Sequence, residues 1–272
     1  MDDCVLLYAV PAFLLLLAVE VWYDRRLGTL HYEPKDTAAS LGLGVGSLVA
    51  MSLSKLASLP LYLWVYEHRL FEVPLAWWSL ALLILADDHA YYWYHRAMHE
   101  VPVLWAAHVP HHSSQRFHLA TALRQPWLTG WFHWLFWLPL PWLGFHPAWV
   151  YFAQAVNLIY QFWIHTPFIR KLGPIEWVFN TPSHHRVHHG SNPQYLDRNH
   201  GGILIVWDRM FGTFTPETET VCYGITKPVH THNPLRLVTD EYRDLFRTAT
   251  HSRSLGDAVG VFLRPRRRKV SV

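Results

Sequence analysis

Three clusters of histidine organise this sequence. Residues 95–112 read HRAMHEVPVLWAAHVPHH, and residues 184–189 read HHRVHH. Within each cluster, histidines recur at intervals of three or four residues, so a helix would place them on one face and aim their imidazoles at one point. This spacing predicts metal ligation. The alternative is a solvated or pH-sensing basic face, which needs no such helical repeat.

The sequence around the clusters is typical of a membrane protein. Of its 272 residues, 51% are hydrophobic and only 16% are charged, whereas soluble domains average about 25% charged residues. An apolar helix of roughly 20 residues crosses a hydrocarbon core of ~30 Å. The candidate spans are Val5–Val21, Leu41–Tyr66, Pro74 to about Tyr94, and a hairpin of Gln125–Trp142 and Pro147–His165 that turns at Gly144.

Charge bias orients these spans. If the acidic N-terminus lies outside, the basic loop residues are cytoplasmic and the outer loops hold only Arg69, as the positive-inside rule requires. All three clusters then lie at the cytoplasmic membrane face, together with His165 at the inner end of the last span. We therefore predict an all-α, multi-pass membrane protein with about four to five spans and a cytoplasmic, histidine-rich di-metal cap.

No internal repeat or linker divides the chain, so we expect residues 1–272 to form a single integral membrane domain. It would comprise N-terminal spans in 1–72, a catalytic core in 74–216 and a cytoplasmic C-terminal tail in 217–272. The tail carries the basic run Arg264–Lys269. A basic terminus beside apolar spans favours contact with anionic lipid headgroups, and we expect no nucleic-acid partner.

The number and type of candidate ligands limit the choice of metal. Cys4 and Cys222 lie too far apart for a zinc ribbon. Eight to ten histidines exceed the three or four ligands of one zinc ion, which favours two metals of borderline softness. Zinc hydrolysis and a non-catalytic metal-binding or transport protein stay open, although the sequence contains no H-E-x-x-H motif and a transporter would place ligands near the bilayer midplane.

The stretch from Asp88 to about Pro216 resembles the fatty acid hydroxylase and sterol desaturase superfamily of membrane di-iron oxygenases, and within it the alkylglycerol monooxygenase branch. The segments that carry the resemblance are DHAYYWYHRAMHEVPVLWAAHVPHHSS, TALRQ and NTPSHHRVHHGSNPQYLDRNHGGILIVWDRMFGTF. The resemblance implies two iron ions, with His184 as a tenth ligand beside His95, His99, His108, His111, His112, His165, His185, His188 and His189. It also implies important roles for Asp88 and Glu100.

The positions of the two carboxylates agree with such roles. Asp88 lies seven residues before His95, on the same helix face, where we expect it to accept the second N–H of a ligating imidazole. Glu100 directly follows His99. We expect it to contact a ligand, a metal or the reducing cofactor, and the alternative is an exposed glutamate at a helix end.

The resemblance further implies O₂-dependent hydroxylation of a C–H bond on a membrane lipid by a monooxygenase. An ether lipid, hydroxylated beside its ether oxygen, is the favoured substrate. A sterol methyl oxidase, a carotenoid hydroxylase and a fatty acid hydroxylase are the alternatives. The external reductant would be tetrahydrobiopterin or a redox protein. The expected location is the bacterial cytoplasmic membrane, or the endoplasmic reticulum in a eukaryote.

Some residues bear on details of the site. Pro110 predicts that the second cluster opens a helix, since proline lacks a backbone donor. At positions 118 and 200 the sequence has histidine, where the resemblance to the family leads us to expect Asn and Tyr, respectively: these are His118 and His200. We expect a lipid groove that opens sideways and a headgroup held by Arg116 and Arg124. The predicted groove residues are Tyr91, Trp127, Trp131 and Phe162.

Overall fold

The computed structural model describes residues 2–266, so the end of the basic run, residues 267–269, lies outside the described residues. Within residues 2–266 the chain is helical and contains two isolated β-bridges but no strand. The helices are α1 (Asp2–Leu27), α2 (Pro34–Glu67), α3 (Trp77–Glu100), α4 (Pro102–His112), α5 (Leu119–Ala122), α6 (Gly130–Trp137), α7 (Pro139–Leu143), α8 (Pro147–Trp163), α9 (Pro182–His188), α10 (Val206–Met210), α11 (Pro234–Thr250) and α12 (Leu255–Leu263). Two 3₁₀ helices cover Gly173–Trp177 and Pro193–Tyr195.

The predicted hairpin is only partly a pair of helices. Helix α8 covers its second limb, but the first limb, Gln125–Trp142, is broken into α6 and α7, because Pro139 cannot continue a hydrogen-bonded helix. The eight residues of α6 extend only about 12 Å. The expected span over this limb is therefore two short helices, and its crossing of the membrane stays a prediction.

The predicted turn at Gly144 is confirmed. Gly144 has a φ of 111°, which favours glycine. A Cβ atom there would lie 2.2 Å from the carbonyl oxygen of Phe71, in the loop between α2 and α3. Leu70 N donates to Trp142 O at 2.8 Å. The hairpin turn therefore docks on the α2–α3 loop, at the end of the bundle far from the three histidine clusters.

Helix α2 buries polar side chains and exposes apolar ones, the reverse of a helix on the surface of a soluble protein. Its buried face carries serines and Asp36, whereas large aliphatic residues on the other face, such as Val45 and Leu48, are more than 60% exposed. Ser40 and Ser47 donate to carbonyls of their own helix, which satisfies their hydroxyls without water. A helix with apolar groups outside and polar groups inside fits a lipid environment. By length and composition α2 is long and apolar enough to cross a membrane.

Small residues bring α2 close to the loop before α6. A Cβ atom on Gly44 would lie 2.7 Å from Leu123 O, and one on Gly46 would lie 2.4 Å from the Trp127 ring. Trp127 Nε1 also donates to Leu43 O at 2.9 Å. The two glycines therefore permit close packing between α2 and this loop.

The segment predicted as a tail folds against the histidine core. Leu237 and Val238 of α11 are buried in a cluster with Ala39 and Leu43 of α2. Tyr242 Oη donates to Val103 O of α4 at 3.1 Å. Helix α11 therefore packs against α4, the helix that carries the second histidine cluster.

Candidate metal centre

The structure gathers nine of the ten predicted ligands into two buried groups, which we call group A and group B. Within each group the candidate ligand atoms all lie within 4.8 Å of one another. Group A combines side chains from α3, α4 and α9, namely His95, His99, His108, His112 and His188. Group B combines side chains from α4, α9 and the end of α8, namely His111, His165, His185 and His189.

Several imidazole nitrogens face each other at the spacing that a shared metal imposes. The Nε2 atom of His108 lies 3.2 Å from that of His95 and 3.1 Å from that of His112. In group B, His165 Nε2 lies 2.9 Å from His185 Nε2. Two nitrogens bound to one metal at about 2.1 Å lie roughly 3 to 3.5 Å apart. The packing thus directs the lone pairs of these imidazole nitrogens toward one common position in each group.

The opposite ring nitrogens are held by backbone carbonyls. His95 Nδ1 donates to His200 O at 2.9 Å and His188 Nδ1 donates to Arg198 O at 2.9 Å. In group B, His165 Nδ1 donates to Gln161 O at 2.7 Å. Such partners fix the tautomer, so that Nε2 carries the lone pair a metal needs.

Two observations show that these residues fit metal ions. His99 Nε2 and His188 Nε2 are buried without a hydrogen-bond partner, a costly state that coordination would relieve. Burial also lowers the pKa of His111 to about 4, and burial with the neighbouring His200 lowers that of His188 to about 3. These imidazoles are neutral at pH 7, the form that binds metals.

Comparison with known proteins agrees with this geometry. Residues 80–213 match the family model for fatty acid hydroxylase. The histidine-rich core belongs to the fatty acid hydroxylase family. No solved structure matches the chain significantly.

The similar curated proteins include three vertebrate alkylglycerol monooxygenases. The Xenopus tropicalis protein is 45% identical over 74% of this chain and 46% of its own length. The Danio rerio protein is 42% identical over 82% of this chain and 50% of its own length. The Homo sapiens protein is 42% identical over 84% of this chain and 52% of its own length. The chain thus spans about half the length of these relatives.

His184 is the predicted ligand that the fatty acid hydroxylase core leaves outside both groups. Its ring packs edge-on against Phe214 at 5.5 Å, and its Nδ1 is buried without a hydrogen-bond partner. Although His184 lies four residues before His188 on α9, the packing of its ring against Phe214 keeps it out of both groups. The third cluster thus contributes three histidines to the groups and one residue to packing.

Asp88 does not accept from an imidazole, contrary to expectation. Its carboxylate accepts from Ile203 N at 2.6 Å, Leu204 N at 3.0 Å and Trp207 Nε1 at 2.9 Å, and from Asn157 Nδ2 at 3.1 Å. These bonds tie residues 203–207 to α3. Asp88 therefore positions the segment that follows His200, whose carbonyl orients His95.

Glu100 faces away from both groups. Its carboxylate accepts from Arg96 Nε at 2.7 Å, and its side chain is 42% exposed. The structure thus favours the exposed glutamate at a helix end over a metal ligand. A contact between Glu100 and the reductant stays a prediction.

Asp208, which the sequence leaves open as a structural charge or a headgroup contact, holds the segment that Asp88 also binds. Asp208 is fully buried. It accepts from His200 N and Gly201 N, both at 2.7 Å, and from Thr213 Oγ1 at 2.6 Å. Because these donors are backbone amides and the hydroxyl of a nearby threonine, neither residue spacing nor hydrophobic periodicity signals them. Asp208 holds the His200 carbonyl in place for His95.

We expect Asp208→Asn to weaken iron binding roughly 10- to 100-fold, the usual cost of losing an outer partner of a ligand. The amide can no longer accept from all three donors. Iron retention against a chelator, normalised to folded protein, measures the effect. Asp240→Asn is the control, since Asp240 pairs with the exposed Arg236 on α11 at 3.2 Å. Equal retention by both variants would contradict the role of Asp208.

Pro110 and Arg124 also differ from expectation. The second cluster ends helix α4 and does not open it, and Pro110 lies in the last turn. Its carbonyl, released from the helix, accepts from Arg124 Nε at 2.9 Å. Arg124 is 1% exposed and its own carbonyl accepts from His111 Nδ1 at 3.2 Å. Arg124 therefore positions group B and does not reach a headgroup.

A largely apolar cavity of about 120 Å³ opens onto the metal groups. Its wall includes His108 of group A and His111 of group B, and it extends past Tyr91 and Ala155 to Met51 on α2. Of the predicted groove residues only Tyr91 lines it. Phe162 is buried against Phe13 at 4.0 Å, and Trp131 is 46% exposed.

A second, smaller cavity reaches the groups from the other side. It has a volume of about 20 Å³ and touches His99, His112 and His188. One water molecule needs roughly 10 to 15 Å³, so this cavity accommodates a molecule the size of water or O₂ but not a lipid or a reductant.

Proposed function

We propose that this protein is a membrane-bound di-iron monooxygenase that hydroxylates a lipid C–H bond with O₂, and that an ether lipid is its substrate. The observation that carries the proposal is the apolar cavity whose wall includes one histidine from each metal group. A carbon atom at that wall lies next to both centres. The alkylglycerol monooxygenase relatives support the choice of an ether lipid.

The donor set favours iron over zinc. Nine buried imidazoles in two groups offer more neutral nitrogen ligands than zinc hydrolysis requires. When bound there, two iron ions would supply the activation of O₂ and the oxidation of the C–H bond. Groups A and B would hold one ion each.

The chain's own residues hold the lipid and exclude water. Apolar cavity residues such as Leu158 surround the alkyl chain, which would otherwise cost about 0.8 kcal/mol per CH₂ exposed to water. Tyr91 Oη donates to Gln161 Oε1 at 2.7 Å, and Gln161 Nε2 donates to Asn157 Oδ1 at 2.7 Å. These bonds satisfy the polar groups of the wall near the histidines, so the wall can face an ether.

The overall reaction consumes one O₂, two electrons and two protons, and it yields the hydroxylated lipid and water. Hydroxylation beside an ether oxygen gives a hemiacetal, which collapses to an aldehyde and an alcohol. An external donor, tetrahydrobiopterin or a redox protein, supplies the electrons.

We further propose that α1, α2, α3 and α8 lie in the membrane, with the histidine end on the cytoplasmic side of the bacterial cytoplasmic membrane. In sealed vesicles, cysteines at Phe71 and Arg116 should then label from opposite sides. Labelling of both from one side would overturn this topology.

The direct test of function is O₂ consumption by purified, iron-loaded protein in the presence of reductant and candidate lipids. We expect turnover with an alkylglycerol and release of a fatty aldehyde. Turnover only with a fatty acid, a sterol or a carotenoid would assign one of the alternative hydroxylases. Metal flux in vesicles without lipid turnover would instead indicate a transporter.

Filling the cavity should change substrate preference. Ala155 is buried and lines the cavity, so Ala155→Leu removes volume that the alkyl chain needs. We expect the KM for long-chain ethers to rise about 10-fold, the equivalent of ~1.4 kcal/mol, while iron content stays unchanged. Trp131→Phe, outside the cavity, is the control. An unchanged chain-length profile in Ala155→Leu would place the lipid elsewhere.

A further inference from the structure

An exposed apolar surface lies beside the histidine core. It is formed by residues 172–179, which include the 3₁₀ helix Gly173–Trp177, together with α10, and we call it the side lobe. Trp177 is 72% exposed, Met210 63% and Ile175 50%, and Leu172, Val178 and Phe179 are also exposed. Soluble surfaces rarely concentrate so many large apolar side chains.

The side lobe is one structural unit. Asn180 N donates to Ile203 O at 2.8 Å and Ile205 N donates to Val178 O at 3.0 Å, which joins its two segments. Arg209 Nη2 donates to Glu176 O at 3.2 Å, and the guanidinium lies over the Trp177 ring at 5.8 Å. The apolar side chains are therefore presented by a fixed backbone.

The lobe packs against α3 and α8 just before the histidines that these helices present. Trp207 of α10 contacts the His89 ring at 4.7 Å, and Phe211 contacts Trp93 at 4.7 Å. His89 lies six residues before His95, the first clustered histidine of α3, which is roughly 9 Å along the helix axis. Tyr160 Oη of α8 also donates to Asn180 O at 2.7 Å. The lobe thus extends back along the sides of α3 and α8.

The exposed surface of the lobe continues the exposed face of α3. Leu82, Leu85 and Trp93 share one face of that helix and are 49%, 43% and 39% exposed. Phe211, which directly follows α10, contacts Trp93 and so connects this face of α3 to the lobe. The two surfaces form one apolar belt.

Cations border this belt. Arg170 and Lys171 are exposed just before the lobe, and Arg209 is exposed within it. Tryptophan at the level of the headgroups, with Arg and Lys reaching toward phosphates, is characteristic of membrane interfaces.

We propose that the side lobe is embedded in the interfacial layer of the bilayer that the long helices enter, with Trp177, Ile175 and Met210 among the headgroups and upper acyl chains. The inference rests on the proposed membrane topology. It makes the lobe, which carries the Asp88-bound segment 203–207, a membrane-anchored part of the metal site.

The test uses the full chain in nanodiscs of phosphatidylcholine and phosphatidylglycerol. Single cysteines replace Trp177, Met210, Leu53 of α2 or the exposed Gln194, in a background with Cys4→Ser and Cys222→Ser. Each carries an environment-sensitive fluorophore, and lipids with a nitroxide at a shallow or at a deep position of the acyl chain act as quenchers. Iron content equal to that of the parent shows that each variant folds.

We expect the labels at Trp177 and Met210 to be quenched at least threefold more than the label at Gln194. If both match Gln194 while Leu53 is quenched, the inference is wrong but the topology stands. If Leu53 is not quenched, the topology itself is wrong. Energy transfer between copies labelled at Trp177, without lipid quenching, would assign the surface to self-association and overturn the inference.

Discussion

Replacing His188 by alanine should remove iron from group A and abolish lipid hydroxylation. His188 Nε2 is buried without a hydrogen-bond partner, among four other imidazoles. Losing a ligand should weaken metal binding by more than the roughly 10- to 100-fold that loss of an outer partner costs. Iron per folded chain and O₂ consumption measure the effect.

The matched control lies in the same helix. His184→Ala removes a histidine that the structure places outside both groups, so iron content and turnover should stay near those of the parent, even if unfolding becomes easier. Loss of iron in both variants would show that His184 is a ligand. Full iron and activity in His188→Ala would exclude group A as the site.

Arg124→Met should destabilise the fold by about 3–5 kcal/mol, because it leaves a buried carboxylate without its partner. Arg124 Nη1 lies 3.3 Å from Asp36 Oδ1, and its Nε and Nη2 donate to Ser113 Oγ at 3.1 and 3.0 Å. Denaturant unfolding in detergent measures the free energy. Arg116→Met, at an exposed position, should change it by less than about 0.5 kcal/mol.

A double variant separates the effect of the unpaired buried charge on stability from the effect of lost packing. Asp36→Asn combined with Arg124→Met should recover part of the lost stability, since neither charge is then left buried alone. A single Arg124→Met variant as stable as Arg116→Met would show that Arg124 is solvated, as a headgroup ligand would be.

The sequence by itself identified the nine histidines that the structure gathers into groups A and B, together with His184, and it predicted that helices carry most of them. Intervals of three and four residues put His95 with His99, and His108 with His111 and His112, on shared helix faces before any tertiary contact is known. The apolar lengths likewise identified α1, α2 and α3. Local periodicity suffices for these features, because they depend on neighbours within two turns.

Only the tertiary structure decided how the histidines divide between two centres and what holds them. His108 and His111 lie one turn apart, yet packing against α3 and α8 assigns them to different groups. The His200 carbonyl orients His95, which is 105 residues away, and the buried Arg124 pairs with Asp36, which is 88 residues away. Such contacts depend on how helices cross, and hydrophobic periodicity does not encode that. His184 fell outside the centre for the same reason, since its spacing is as regular as that of its neighbours.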